Sequence, residues 1–329
     1  MEKRIMGRGG FPASVIGLGT WQLGADWGHV EETDALRVLD AAAEAGVTFF
    51  DTADVYGDGR SETLIGSWLK NNPGLRVHVA TKMGRRVDQV AENYTEANFR
   101  TWLDRSRKNL QQDTLELVQL HCPPDAVFTS DRVFDALDQL VEEEVIARYG
   151  VSVETTAQAL KALERTHLSS IQIILNAFRL KPLDEVLPRA QELGVGIIAR
   201  VPLASGLLSG KYDLDTQFAE NDHRNFNRRG EAFDVGETFS GVDFETGVRA
   251  AKEFTQLVEE FGPEEASPAQ VALAWVAAQP VTTVIPGARR PGQARDNAAA
   301  ADLKLNPVLL DRIRELYDRY FRAQIHHRW

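Results

Sequence analysis

From about residue 47 onward, short apolar runs that favour extended backbone alternate with longer runs whose apolar residues recur at helical spacing. The extended runs are Thr48–Asp51, Val77–Thr81, Leu115–Leu120, Arg148–Val153, Ile171–Leu175, Gly196–Ala199 and Thr282–Ile285. Val15–Gly17 ahead of them brings the number to eight. Strands this short and apolar suit a sheet covered by helices. In the helical runs, Leu36, Leu39, Ala43 and Val47 share one face. Val133, Leu137, Leu140 and Val141 share another, leaving Asp138 and Glu142 for solvent. Ser61, Ser130 and Ser267 stand where N-caps are expected, and Pro268 suits a first helical position. Repeated β then α implies a parallel sheet, and eight strands favour closure into a (β/α)₈ TIM barrel over an open doubly wound sheet.

A barrel of about 250 residues plus insertions accounts for the 329 residues as a single domain, 1–329. Two segments break the rhythm. Residues 4–14 carry Gly7, Gly9 and Gly10 between short extended runs and read as an N-terminal β-hairpin. Residues 210–245 are polar, with Arg224, Arg228 and Arg229 among Asn and Asp, and read as a long inserted loop of no predictable shape.

The apolar content of 43% is ample for a large core. A net charge of −11 argues against nucleic acid or an anionic membrane as partner, so an anionic ligand needs a local basic patch. Cys122 is the only cysteine, so no intramolecular disulfide is possible. No apolar h-region follows Met1-Glu2-Lys3-Arg4, and no run approaches the ~20 residues of a membrane span. The expectation is a cytoplasmic protein without signal peptide or membrane segment; oligomeric state is open.

Asp51, Lys82 and His121 follow the second, third and fourth strands. On a (β/α)₈ barrel those ends meet on the face where active sites form. Tyr56 lies in the loop beyond Asp51, beside Gly57 and Gly59. Carbonyl reduction needs a hydride on carbon and a proton on oxygen. A free tyrosine, with a pKa of about 10, holds its proton, and a nearby ammonium eases its release. Lys82 can supply that ammonium, Asp51 can hold it charged, and His121 can orient the carbonyl oxygen. Each residue alone has a structural explanation, as loop residue, solvated strand end or helix cap. Their joint placement on successive strand ends favours chemistry.

At these residues the chain resembles the aldo-keto reductase superfamily. The resemblance runs through Gly17-Leu18-Gly19-Thr20-Trp21, Phe50-Asp51-Thr52-Ala53-Asp54-Val55-Tyr56-Gly57, Ala80-Thr81-Lys82, Gln119-Leu120-His121 and Gly150-Val151-Ser152. It continues through Pro202 to Lys211, Ala272 to Trp275 and Ile285 to Arg289. It covers nearly the whole chain in the family's order, and the Asp51–Tyr56 block is its most specific part. It implies an NAD(P)H-dependent reductase with Tyr56, Asp51, Lys82 and His121 as the catalytic set and a small-molecule aldehyde or ketone as substrate. Gly19, Thr20, Trp21 and Asp51 would lie near the nicotinamide and its ribose, and Ser152 and Gln172 near the carboxamide. Pro202, Leu203, Ser205, Gly206, Leu208 and Lys211 belong to the segment that wraps the pyrophosphate. Gly287, Arg289, Gln293 and Asn297 match the adenosine end, with Asn297 near the start of its helix. A guanidinium suits a 2′-phosphate, so Arg289 favours NADPH over NADH, with Arg290 a weaker second.

The chain departs from the family pattern where Val153 replaces an Asn and where Leu175 replaces an aromatic, which would leave the nicotinamide on an aliphatic face. Gln293 and Gly287 fall where relatives carry Arg and Lys. Arg200 ends the seventh strand, facing the cofactor or forming a structural ion pair. Trp21, Trp27, Tyr56 and Phe128 are candidate pocket aromatics. Cys122 is expected as a small packed residue, and His326 and His327 as solvated. No zinc-type spacing is present, so no metal is expected. The alternative function is a cofactor-binding redox-sensing or regulatory subunit with slow reductase activity. A metal-dependent barrel hydrolase would need His and carboxylate ligands that the seven histidines do not supply.

Overall fold

The computed structural model describes residues 1–24, 30–220 and 222–329. Two short strands, β1 (Lys3–Ile5) and β2 (Pro12–Ser14), pair antiparallel with Lys3 opposite Ser14, giving the expected hairpin. Its turn admits only glycine at residue 10, where a Cβ would stand 1.7 Å from the Met6 carbonyl oxygen.

The barrel strands follow: β3 (Leu18–Gly19), β4 (Phe49–Asp51), β5 (His78–Met83), β6 (Leu117–His121), β7 (Tyr149–Ser152), β8 (Ser170–Ile174), β9 (Gly196–Arg200) and β10 (Thr283–Val284). They pair in sequence order, all parallel. The sheet closes on itself through parallel bridges from Ile16 to Val284 and from Gly19 to Gly287. Gly17 N–H donates to the Val284 oxygen at 2.7 Å and Val284 N–H to the Val15 oxygen at 2.9 Å. Residues 15–17, expected as the first strand, therefore make this closing seam, while regular pairing with β4 begins one residue later, at Leu18.

Met6, Phe11 and Ala13 of the hairpin form one apolar cluster with Phe49, Ala80, Leu117, Ile198 and Ile285 of the barrel. Phe11 stacks on His78, the first residue of β5, at 4.1 Å, so the hairpin plugs the N-terminal end. A larger core lies between the strands and the surrounding helices. The helix Asp131–Glu142 buries Val133, Phe134, Ala136, Leu137 and Leu140 there. Each large apolar side chain so buried contributes about 1.5–3 kcal/mol.

Ser267 caps the helix Pro268–Ala277 in a reciprocal capping box with Gln270. Ser130 occupies an N-cap position but its side chain makes no capping bond. Ser61 is not a cap. The helix Arg60–Asn71 is entered from Gly59, whose φ of +91° turns the chain. Ser61 lies inside this helix, where its hydroxyl donates to Thr20 Oγ1 at 2.8 Å and accepts from Thr52 Oγ1 at 2.9 Å. The insertion after β9 is more ordered than its composition implies. It contains the short helix His223–Phe226 and folds around Phe218, whose ring meets Tyr212, Phe239 and Phe244 at 5.2, 5.8 and 6.0 Å. Among the described residues no helix is long and apolar enough to cross a membrane.

Candidate active site

Asp51, His121, Ser152 and Arg200 are the last residues of β4, β6, β7 and β9, and Lys82 is the fifth of six in β5. The parallel sheet thus delivers them to one end of the barrel. Lys82 Nζ donates to Asp51 Oδ1 at 2.5 Å, to the Thr52 carbonyl oxygen at 2.8 Å and to the Tyr56 hydroxyl at 3.3 Å. All three ammonium donors are thereby used. Asp51 Oδ2 accepts from the side-chain amides of Gln119 at 3.1 Å and Gln172 at 2.8 Å. The expected four residues come together: the Tyr56 ring stacks on Trp21 at 5.9 Å and stands edge-on to His121 at 6.0 Å.

Electrostatics sharpens this picture and reverses one expectation. Burial raises the Tyr56 phenol above its usual value of 10.0, outweighing the opposing pull of the Lys82 ammonium. Burial alone would lower Lys82, but the Asp51 carboxylate and Tyr56 hold it above 10.5 and charged. His121 falls well below 6.5, through burial first and then the positive charge of Arg85, Lys82 and Arg200. It is a neutral imidazole, with Nδ1 buried and unpartnered.

Tyr56 and His121 open onto a cavity of about 660 Å³, within the range of small-molecule and cofactor sites. Gly19, Thr20, Trp21, Asp51, Ser152 and Gln172 line it near these two residues. Pro202, Leu203, Ser205, Gly206 and Lys211 line it as well, as do Gly287, Arg289 and Gln293. Four of the six residues Val201–Gly206 have left-handed φ: Val201, Ala204, Ser205 and Gly206. This bends the backbone tightly along the groove.

The aldo/keto reductase family model matches residues 15–318. The chain belongs to the aldo-keto reductases. It is 34% identical over 300 residues to an aldo-keto reductase of Strobilurus tenacellus, covering 88% of this chain and 83% of that one. It is 31% identical over 311 residues to an uncharacterised oxidoreductase of Bacillus subtilis, covering 92% of each. Among solved structures it is similar to a glycerol dehydrogenase from Gluconobacter oxydans, with 29% identity, a TM-score of 0.78 and coverage of 97% and 95%. The protein is accordingly an NAD(P)H-dependent oxidoreductase.

The cavity suits a nicotinamide dinucleotide in its chemistry. Its lining combines polar side chains that can meet a carboxamide, tightly bent backbone, and the exposed cations Lys211 and Arg289. Several expected contacts are altered by what the side chains already hold. The Thr20 hydroxyl donates to the Asp51 carbonyl oxygen at 2.8 Å. The Gln172 amide nitrogen is bound to Asp51 and Gln119, which leaves its oxygen for a ligand. The Ser205 hydroxyl bridges the Glu237 carbonyl oxygen and the Phe239 N–H at 3.1 and 3.0 Å.

Two expected contacts stand off the cavity. Leu208 is fully buried in the core. Asn297 lies in the last turn of the helix Pro291–Ala299, not near its start, and braces the Gly287 carbonyl oxygen at 3.2 Å. Arg289 lines the cavity while Arg290 does not.

The aliphatic bed expected at Leu175 is also absent. Leu175 and Val153 are fully buried, and the residue that lines this part of the cavity is Arg200. Arg200 is ion-paired with Glu237 and donates to the Val153 carbonyl oxygen at 3.0 Å. Of the aromatics expected here, Trp21 and Tyr56 line the cavity, Phe128 is packed in the core, and Trp27 lies outside the described residues. Phe226 and Phe233 of the insertion line it instead.

Arg85 and Glu237 went unread in the sequence. Arg85 is three residues past Lys82, a detectable signal; Glu237 lies in the insertion and gave none. Cys122 is buried. Its Sγ and the carboxylates of Glu154 and Glu237 lie within 4.8 Å of one another, but Arg85 and Arg200 already pair with the two acids. His326 is not simply solvated, since its ring nitrogens meet Asp184 at 2.8 Å and Tyr317 at 2.9 Å.

Proposed function

We propose that this aldo-keto reductase works as one barrel domain and is an NADPH-dependent reductase of aldehydes and ketones, with Tyr56 as proton donor. The observation that carries the reading is the hydrogen-bonded line from buried Asp51 and Lys82 to Tyr56, which ends on the same cavity as His121. A bound NADPH would supply the hydride for the carbonyl carbon. Ser152 and the free oxygen of Gln172 would hold its carboxamide, and Arg289 and Lys211 its phosphate end.

The chain's own residues handle the proton. Burial keeps the Tyr56 phenol protonated until a stronger base forms beside it. The oxygen of a carbonyl under reduction is that base. The tyrosinate left behind lies 3.3 Å from the Lys82 ammonium, whose charge Asp51 sustains. Neutral His121 can point an N–H at the same oxygen without competing as an acid. Arg289 is exposed, lines the cavity and has no acidic partner among the described residues, which leaves its guanidinium available to a 2′-phosphate.

The test follows NADPH consumption with 4-nitrobenzaldehyde. Tyr56→Phe should lower kcat by about 10²–10⁴-fold, the usual contribution of a positioned acid, with NADPH affinity retained. Full activity in that variant would overturn the assignment. Because the Gluconobacter relative is a glycerol dehydrogenase, glycerol with NADP⁺ is the first pair to try in reverse.

A further inference from the structure

Residues 233–241 present Phe233 and Glu237 to the cavity. Phe233 meets Trp21 edge-on at 6.1 Å, and Trp21 stacks on Tyr56. Glu237 holds Arg200. The wall beside the proton donor is therefore carried by a segment of irregular backbone, with nothing but short helical turns in it.

What seats this segment is Trp329, which is 6% exposed. Its indole N–H donates to Asp234 Oδ1 at 3.2 Å, and the same oxygen accepts the Gly236 N–H at 2.7 Å. Gly241 runs against the ring. Its φ is +70°, and a Cβ there would stand 2.1 Å from the indole. The Arg179 guanidinium lies 4.2 Å from the ring centre. Arg179 is buried, and among the described residues its guanidinium donates to the Glu154 carbonyl oxygen at 2.6 Å, with Nε and Nη1 unpartnered. Burial pushes it down to about 9. The carboxylates of Asp234 and Glu237 favour its charged form, and the indole face adds a cation–π contact. Trp329 ties together Asp234, Gly236, Gly241 and Arg179, none of which touches Tyr56.

We propose that Trp329 is a positioning residue for substrate: it clamps the segment 233–241 so that Phe233 and Glu237 form the cavity wall beside Tyr56. The clamp reaches the cofactor groove only indirectly, through the hydrogen bonds of Glu237 and Phe239 to Ser205, so it bears on substrate more than on cofactor. The kinetic part of the proposal rests on the carbonyl-reductase reading; the structural part does not.

Two readouts separate them. One is KM and kcat for 4-nitrobenzaldehyde beside the NADPH dissociation constant. The other is the rate of tryptic cleavage after Arg228 and Arg229, which are exposed just ahead of the segment. Trp329→Ala should raise KM about tenfold with kcat changed far less, weaken NADPH much less than it raises KM, and speed cleavage several-fold. Trp329→Phe keeps a ring over Arg179 but loses the bond to Asp234, so it should fall between Trp329→Ala and the parent. Gly241→Ala should reproduce the effect by displacing the ring from the other side. Unchanged KM and cleavage in Trp329→Ala would overturn the proposal. So would a parallel loss of NADPH affinity and kcat, which marks general destabilisation. If Trp329→Ala does not fold, parental KM and cleavage in both Trp329→Phe and Gly241→Ala overturn it. If the parent protein consumes no NADPH with carbonyls, the carbonyl-reductase reading fails, and cleavage alone decides the clamp.

Discussion

The cavity has two ends built on opposite principles. Around Tyr56 the charged groups are almost wholly buried and paired: Lys82 with Asp51 and Arg200 with Glu237, three of the four at or near strand ends and Glu237 in the insertion. Around Arg289 the cations sit on loops, are exposed and have no acidic partner among the described residues. Water screens the exposed cations and is kept from the buried pairs. The same unit of charge therefore acts strongly and at short range beside Tyr56, and weakly beside Arg289. The first end suits a group that must change charge during a reaction. The second suits one that must grip an anion and let it go.

The sharpest way to break this contrast is to uncouple the buried pair. Lys82→Met should leave Asp51 charged, buried and held only by Gln119 and Gln172. Loss of one partner from a buried pair costs about 3–5 kcal/mol of stability. Removal of the ammonium should lower kcat by about 10²–10⁴-fold as well. Chemical denaturation and NADPH consumption on one preparation check both. A variant that loses activity but no stability would mean that the pair is not the stabilising unit described here.

At the exposed end the expected effect is smaller and of another kind. Arg289→Ala should weaken NADPH about tenfold or somewhat more, the worth of a charged hydrogen bond, and leave folding untouched. NADH affinity should hardly change, and the difference between variant and parent should shrink as salt is added. Equal losses for both cofactors would remove the 2′-phosphate from the role assigned to it. A salt-independent loss would show that this end is less open to water than its exposure implies.

The same contrast explains what could be read in the sequence. The catalytic set was legible because strand-end position and residue type coincide: Asp51, Lys82 and His121 each lie at or near the end of a strand, and Tyr56 follows in the specific block. Gln119 was named in the resemblance but given no role, because nothing in its own strand reveals that it reaches Asp51 on the strand two places away. Leu175 was misplaced because the strand ends at Ile174 and the residue beyond it packs into the core, leaving Arg200 to face the cavity. Ser61 was read as a cap because serine favours that position, whereas a left-handed glycine two residues earlier made the turn. Glu237, Asp234 and Trp329 carried no local signal at all. Their contacts join an irregular insertion to Arg200, 37 positions away, and to Trp329, 95 positions away, and composition and periodicity report only on neighbours.

The last prediction sets two carboxylates against each other at the buried end. Asp51 and Asp54 are three residues apart and both nearly inaccessible. Asp51 has a cation and two amides; both carboxylate oxygens of Asp54 are buried without a side-chain partner. Burial first, and then repulsion from Glu62, push Asp54 up from 3.8 to about 7. Between those two values the folded protein holds a proton that the unfolded chain has released. Its contribution to stability is therefore fully present below 3.8 and is lost as pH rises through about 7. Asp54→Asn removes the ionisation. The variant should gain on the parent above pH 7 by an amount on the order of 1 kcal/mol, modest because Asn buries polar atoms of its own, and the gain should fade as pH drops toward the acid range. Melting curves of both proteins across that range decide it. A constant difference at all pH values would mean that Asp54 finds compensation in the folded state and that pairing is not what sets it apart from Asp51.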